Sequence, residues 1–343
     1  MANRNDPLGM LLIGAGRIGE LHARNIVYRL PALTLDGIVD PYAGEDFAAW
    51  AALVGVPLFD DIAAALAVIK PRAALIATPT DLHETAAVSA IEAGLHVFCE
   101  KPVAPDIPAA ARIIRTARSA GVMLQIGFNR RFDHNFAALR ETVKKGRIGE
   151  VEMLRVTSRD PGPPSIGYIK RSGGLFMDMT IHDFDMARFL SGDEITQVYA
   201  RGTSLVDPEI GRAGDIDTAV VTFDLAGGAI GFIENSRRAA YGYDQRAEVL
   251  GGAGAAATAN DTPSSLAISD GTGVHKEKPL YFFLERYEQS FIAELESFAD
   301  AVAKGAEVAV SGEDGLQAMR IAEACRVSLL EGRPVKLEEV PQE

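Results

Sequence analysis

The sequence predicts a two-domain α/β protein: a doubly wound parallel sheet, then a second α/β unit with antiparallel pairing. Three observations carry this. Short apolar runs alternate with helical patterns through the first third of the chain. Strand candidates beyond residue 190 alternate apolar with polar residues, as antiparallel strands with one solvated face do. The 343 residues also exceed what one core comfortably fills. A hydrophobic content of 48% and a charged content of 24% are those of an ordinary soluble globular protein. The net charge of −13 argues against nucleic acid as a partner, because phosphates would be repelled. Cys99 and Cys325 have no metal-type spacing and make no disulfide framework, so a reducing cytoplasm is the expected compartment. The first apolar run breaks at Gly14, too short for a signal or membrane segment, and no later run reaches a span's length, so no membrane partner is expected.

In chain order, Met10–Ile13 is a short apolar strand running into Gly14-Ala15-Gly16-Arg17-Ile18-Gly19, and a helical pattern follows until Pro31. Strand, glycine turn and helix form the context that a dinucleotide-binding G-x-G-x-x-G requires. Gly14 permits the tight turn, Gly16 lets backbone approach a pyrophosphate, and Gly19 lets helix and strand pack closely. The helix N-terminus, with Arg17 and Ile18, offers free N–H groups to phosphate; Arg17 reads equally as phosphate-facing or solvated. The next run, 33–39, ends in Asp40, 21 residues after Gly19, where an acid would bind the adenosine ribose hydroxyls. No arginine adjoins it to receive a 2′-phosphate, which favours NAD over NADP; the competing reading of Asp40 is a turn residue before Pro41.

Residues 73–77 form the next strand and 80–93 a helix with Thr80 or Asp81 near its cap. A strand over 95–99, a helix over 108–120 stopped by Gly121, and a strand over 122–127 complete the parallel sheet. Ligands bind beyond the C-terminal strand ends of such sheets, which places Thr78, Pro79, His83, Glu100 and Lys101 beside the cofactor. His83 reads equally as a helix-surface histidine. Lys101, held extended by the following Pro102, would point into the cleft or be a solvated loop lysine. The domain boundary is set near Gly127, giving 1–127 for the NAD-binding domain and 128–343 for the substrate-binding and oligomerisation domain.

In the second domain, alternation at Asn129-Arg130-Arg131 would put Asn129 and Arg131 on one side. A helix is expected over 132–145, a strand over 152–158, and a rigid loop at Asp160-Pro-Gly-Pro-Pro. The stretch 172–190, SGGLFMDMTIHDFDMARFL, reads as a core helix beginning near Gly174. Asp178 and His182 stand four apart on one face, about 6 Å along the axis, with Asp185 three further on. Two carboxylates and an imidazole on an apolar helix are costly to bury without purpose. The bland alternative is a polar patch at a subunit contact, and a metal site lacks a third ligand at useful spacing. Strands are expected at 197–203, 218–225, 229–236 and 247–251, a hairpin tip or loop at 251–263, and long helices at 283–304 and 311–331.

Taken together, GAGRIG, ATPTDLHE, Glu100-Lys101-Pro102 and Asp178-x-x-x-His182 resemble the Gfo/Idh/MocA oxidoreductases over nearly the whole chain. Within that family GFNRRFD (127–133), YIKRSGG (168–174), DMTIHDFDMARF (178–189) and NSRRAAYGYDQR (235–246) are most similar to the inositol 2-dehydrogenase branch. The resemblance implies a Rossmann domain followed by an α/β domain on a large open, mixed, mainly antiparallel sheet, whose face commonly mediates homotetramers. It implies Lys101, Asp178 and His182 as catalytic residues and NAD as cofactor. It places Arg131 near the substrate, with Asp160, Asp185 and Tyr241 lining the sugar pocket and Tyr243 competing for the role of Tyr241. The expected reaction is oxidation of a secondary hydroxyl of a cyclic polyol, myo-inositol to its 2-keto derivative. Its rivals are an aldose dehydrogenase, a glycoside hydrolase that uses bound NAD through transient oxidation and elimination, and a non-enzymatic sugar or NAD(H) sensor. Whether Lys101 or His182 accepts the proton stays open.

Overall fold

The computed structural model describes residues 6–343, so the start of the polar N-terminal segment lies outside the described residues. The chain divides into two compact units. The first runs to Phe128 and regains the chain at Phe291–Gln317 and Gln342–Glu343; the second comprises Asn129–Ser290 and Ala318–Pro341.

The first unit contains β1 (Leu8–Ile13), α1 (Arg17–Arg29), β2 (Leu33–Val39), α2 (Glu45–Leu53), β3 (Leu58–Phe59), α3 (Ile62–Val68), β4 (Ala73–Ile76), α4 (His83–Glu92), β5 (His96–Glu100), α5 (Ile107–Ala120) and β6 (Leu124–Gly127). Its strands are all parallel, in the order β3-β2-β1-β4-β5-β6. Strands β1 and β4 are buried along their whole length, as a sheet covered on both faces requires. The order reverses between them, which opens the crevice where such sheets bind ligands. Helix α5 starts on Asp106, whose carboxylate accepts from Ala109 N at 2.8 Å, and ends on Gly121 at φ +67°. Helix α4 differs from expectation. A 3₁₀ turn at Thr80–Leu82 precedes it, and neither Thr80 nor Asp81 caps it. The core of this unit is completed by the returning chain: Ile292, Leu295, Phe298 and Ala299 pack with Met10, Leu12 and Phe98. The rings of Phe98 and Phe298 meet edge-on, centroids 5.9 Å apart.

The remaining elements are α6 (His134–Lys144), β7 (Val151–Arg159), α7 (Ile166–Ile169), α8 (Ile181–Ser191), β8 (Ile195–Thr203), α9 (Pro208–Arg212), β9 (Thr218–Leu225), β10 (Ile230–Ser236), β11 (Asp244–Gly251), β12 (Gly254–Ala257), β13 (Ala267–Asp270), β14 (Gly273–Lys276), α10 (Phe283–Arg286), α11 (Glu288–Lys304), α12 (Gly312–Glu331) and β15 (Val335–Lys336). Seven strands form one sheet, ordered β12-β11-β7-β10-β9-β8-β15, in which only β7 and β10 run parallel. Its inner face presents Leu154, Val156, Val198, Ala200, Val221, Phe223, Ile233 and Val249, all buried, and α8 packs there against β7. The other face carries Met153, Val220, Ile230 and Leu250, all exposed.

Three local expectations fail here. Asn129–Phe132 is a 3₁₀ turn, not strand-like, so Asn129 and Arg130 are both buried. The helix expected over 283–304 breaks at Tyr287 into α10 and α11. Between Gly174 and α8 the chain makes a π-helical turn, Phe176–Thr180, that periodicity alone does not reveal. Two consecutive left-handed glycines, Gly173 and Gly174 (both φ +82°), deliver the chain into that turn. The wide turn is closed by the Thr180 hydroxyl, which donates to Leu175 O (3.3 Å) or to Asn235 Oδ1 (2.8 Å).

Candidate active site

In the first unit the glycine turn has the close approaches its spacing implies. A Cβ on Gly14, which sits at φ +95°, would lie 2.5 Å from Thr78 N. One on Gly19 would collide with the Gly14 carbonyl oxygen, whereas one on Gly16 would meet nothing within 4 Å. Gly14 and Gly19 are therefore needed for packing, and Gly16 leaves its side open, which fits a bound pyrophosphate at the start of α1. The Thr78 hydroxyl beside the turn is buried and has no hydrogen-bond partner among the described residues, a second feature that fits a polar ligand. Arg17 is exposed, Ile18 half-buried and Pro79 exposed. Asp40 does two jobs: Oδ2 accepts from Ala15 N at 2.7 Å and Oδ1 from Tyr42 N at 2.8 Å. The carboxylate is thus tied to the glycine turn while also making the Asx turn before Pro41.

His83 is not a surface histidine. Its ring is buried, Nδ1 lies 2.8 Å from Pro102 O and Nε2 3.0 Å from Thr78 O. It brackets the turn after β4 to the turn after β5 from behind, and burial lowers its pKa against the pull of those carbonyls. The Lys101–Pro102 peptide is cis, and Lys101 is half-buried. Glu100, directly before it, pairs with His22 (2.7 Å), and buried Glu294 lies 4.0 Å from the same imidazole nitrogen. Burial and the Glu100 charge raise Glu294 well above the ordinary carboxyl range. His22 and Glu294 were not legible as site neighbours, since they are 272 positions apart.

In the second unit Asp178 lies in the π-helical turn and His182 in the first turn of α8. Asp178 Oδ1 accepts from the Tyr168 hydroxyl at 2.8 Å, and Oδ2 from both terminal nitrogens of Arg237 at 3.2 Å. Asp185 and Arg131, expected separately as substrate ligands, form a fork with each other: Nε–Oδ2 2.9 Å and Nη2–Oδ1 2.6 Å. Arg130 makes the parallel contact one residue earlier, to Asp183 Oδ1 (2.6 Å) and Ser158 Oγ (3.0 Å), and Asn235 Nδ2 donates to Asp183 Oδ2 (2.7 Å). These pairs fix α8 on the inner face of the sheet. Burial pushes the Asp160 carboxyl up to about 7, with Arg237 and Arg130 opposing and Asp178 and Asp183 adding to the rise.

Tyr241 does not join this group. Its hydroxyl accepts from Arg159 (2.7 Å) and donates to Asp244 (2.6 Å), and Arg159 neighbours Ser158 on a strand and so faces the opposite side of the sheet. Tyr243 is the tyrosine beside the inner charges: it is buried, and Arg130, Asp160 and Asp183 act on its phenol. Among the described residues two other groups have metal-like spacing: His22, Glu100 and Glu294, and Asp133, His134 and Asp261. The second is filled by Arg286, which pairs with both aspartates.

Residues 8–128 match the oxidoreductase family with the NAD-binding Rossmann fold, and residues 136–257 match the GFO/IDH/MocA C-terminal domain. The chain belongs to the Gfo/Idh/MocA oxidoreductase family and carries its NAD-binding domain. Over 328 residues it is 46% identical to an uncharacterized oxidoreductase, YrbE, of Bacillus subtilis, covering 95% of this chain and 96% of that protein. It is 44% identical over 330 residues to a myo-inositol 2-dehydrogenase of Thermotoga maritima, covering 96% and 98%. The crystal structure of scyllo-inositol dehydrogenase from Lactobacillus casei with bound NAD(H) and scyllo-inositol superposes with a TM-score of 0.90 at 29% identity, covering 97% of this chain and all of that one.

Proposed function

We propose that this protein is an NAD-dependent dehydrogenase that oxidises a secondary hydroxyl of a cyclic polyol, with myo-inositol and its 2-keto derivative as the first pair to test. The observation that carries this is the Asp178–His182 pair, an acid fixed by Tyr168 and Arg237 and followed one turn later by an imidazole. The names of the Thermotoga and Lactobacillus relatives support the choice of an inositol.

Bound NAD supplies the hydride acceptor. Histidine titrates near neutrality, which suits His182 to take the hydroxyl proton. Asp178, already held on both oxygens, stabilises the imidazolium that forms. Lys101 donates to the reacting oxygen and lowers the cost of alkoxide character. Asn129, Asp160 and the Arg131–Asp185 fork supply the donors and acceptors that a ring of hydroxyls needs.

A reducing cytoplasm is the compartment proposed, in keeping with two buried, free cysteines. Among the described residues no helix is long and apolar enough to cross a membrane. A homotetramer built on the exposed sheet face is the assembly proposed.

The test is NADH absorbance with myo-, scyllo- and chiro-inositol, glucose and xylose, repeated with NADP. Turnover of an inositol with NAD is expected, and His182→Ala should lose about 10²-fold or more in kcat while NAD still binds. Turnover of aldoses alone moves the substrate. No NADH from any of these substrates, with NAD retained through purification, points to the hydrolase that oxidises transiently.

A further inference from the structure

Arg237 follows β10, and its backbone N–H donates to Asp217 O at 2.8 Å. Its side chain is 1% exposed, so a full positive charge is taken out of water. Such a charge is tolerated only with partners, and the pairing here is of an unusual kind. Both terminal nitrogens reach one oxygen of Asp178 at 3.2 Å. Asp215 Oδ2 stands 3.9 Å away, and Nε finds no hydrogen-bond acceptor among the described residues. In the same unit Arg131 makes the two-point fork that Arg237 does not, with two nitrogens on two oxygens of Asp185. Arg237 does not saturate one carboxylate. It stands among three, since Asp160 also feels its charge.

The surroundings of Asp178 make this arrangement informative. From α7 comes the Tyr168 hydroxyl, from the chain after β10 Arg237, from the loop before β9 Asp215, and from the chain after β7 Asp160. Asp215 also accepts from Leu175 N at 3.0 Å, at the start of the helix that carries Asp178 and His182. Beyond lies the Arg130–Asp183 pair, matched in charge. Arg237 is thus a cation in direct contact with Asp178, with two further carboxylates close by.

We propose that Arg237 is a positioning residue for the reaction: it fixes Asp178 and compensates part of its charge, so that the imidazole of His182 works beside a partly compensated carboxylate. This rests on the dehydrogenase reading. A bare carboxylate one turn from an imidazole favours the imidazolium and removes the base from use until higher pH. With Arg237 in place that pull is reduced.

The experiment is the pH profile of kcat/KM for myo-inositol and NAD in wild type, Arg237→Met, Arg237→Lys and Asp178→Asn, with NAD affinity measured alongside. Arg237→Met is expected to lose about 10²-fold in kcat and to move the acid limb up by about one pH unit, with NAD affinity unchanged. Arg237→Lys should return the limb toward wild type, and Asp178→Asn, which removes the carboxylate instead, should move it down. Lower rates on an unmoved limb, in step with a lowered Tm, would reduce Arg237 to a structural clamp and overturn the proposal. If Arg237→Met does not fold, Arg237→Gln takes its place, with the same upward shift expected. If wild type turns over no polyol, the dehydrogenase reading fails separately. The proposal is then judged by NMR titration of the His182 ring, one of only six histidines, whose pKa must rise in Arg237→Met, stay near wild type in Arg237→Lys and fall in Asp178→Asn.

Discussion

Asp160 shows how one half-buried group couples chemistry to stability. Its folded pKa of about 7 stands above the ordinary 3.8, chiefly through burial, with Asp178 and Asp183 adding. Between pH 4 and 7 the folded chain therefore holds a proton that the unfolded chain releases, and stability falls as pH rises through that window. The sign is opposite to that of a salt-bridged aspartate, whose contribution is lost on acidification. Asp160→Asn carries no proton in either state and removes this slope. Thermal melts of variant and wild type should diverge with rising pH in the variant's favour, by about 1–2 kcal/mol near pH 8, given ~1.4 kcal/mol per pKa unit shared among coupled carboxylates. A difference that stays constant from pH 5 to 8 would show that Asp160 ionises like an ordinary carboxyl. The same residue was legible as a site residue only through family resemblance; nothing in Asp160-Pro-Gly-Pro-Pro announces that Arg130, Arg237 and two aspartates converge on it.

The elements divide by how much local sequence determines them. Strand β2 falls on the expected 33–39 and β9 on 218–225, because their apolar runs and alternation are set by burial on two faces or one. The glycine turn was legible because each glycine answers a separate steric demand. That makes Gly19 a test of the element: its Cβ would occupy the space of the Gly14 carbonyl oxygen. Gly19→Ala should force α1 away from β1, cost about 1–3 kcal/mol of stability, and weaken NAD binding at least tenfold, read by calorimetric titration. Gly16→Ala, with nothing within 4 Å of the added methyl, should fold as well as wild type and lose NAD affinity only. Equal damage from both changes would contradict the division of roles. The illegible elements share one cause, in that long-range partners decide them. The π-helical turn depends on Thr180 reaching Asn235, 55 positions away, and the 3₁₀ turn at Asn129–Phe132 on Arg130 and Arg131 finding Asp183 and Asp185. Helices α2 and α3 escaped notice because alanine-rich runs such as Ile62–Val68 carry little periodicity.

At the scale of the molecule the open face of the seven-stranded sheet asks for an occupant. Ile230 stands opposite Met153, and Leu250 opposite Met153 from the other side, so three apolar side chains, each 40–50% exposed, line up across three strands. Val220 lies on the same face through its pairing with Glu234. A contiguous apolar patch on a sheet face marks an interface more often than free surface. The charges between these residues are already matched: Arg159 pairs with Glu234 at 2.8 Å and Arg155 with Glu248 at 3.7 Å. A chain carrying −13 repels its copies overall, yet this face presents almost no net charge to oppose their meeting. A second copy of the same face satisfies both conditions, since an isologous contact sets each apolar row against its own image. Light scattering after size exclusion should therefore give a mass of at least two chains, and of four where a second contact completes the proposed homotetramer, and Ile230→Lys combined with Met153→Lys should lower it, because each lysine would bring an unpaired charge into the contact at a cost of several kcal/mol. Asp178 and His182, the residues proposed for proton transfer, lie with α8 on the opposite face of that sheet, so the dissociated variant should keep its NAD affinity while its thermal stability becomes independent of protein concentration. A wild-type mass of one chain, unchanged by salt, would leave the apolar row without its partner and sink the assembly.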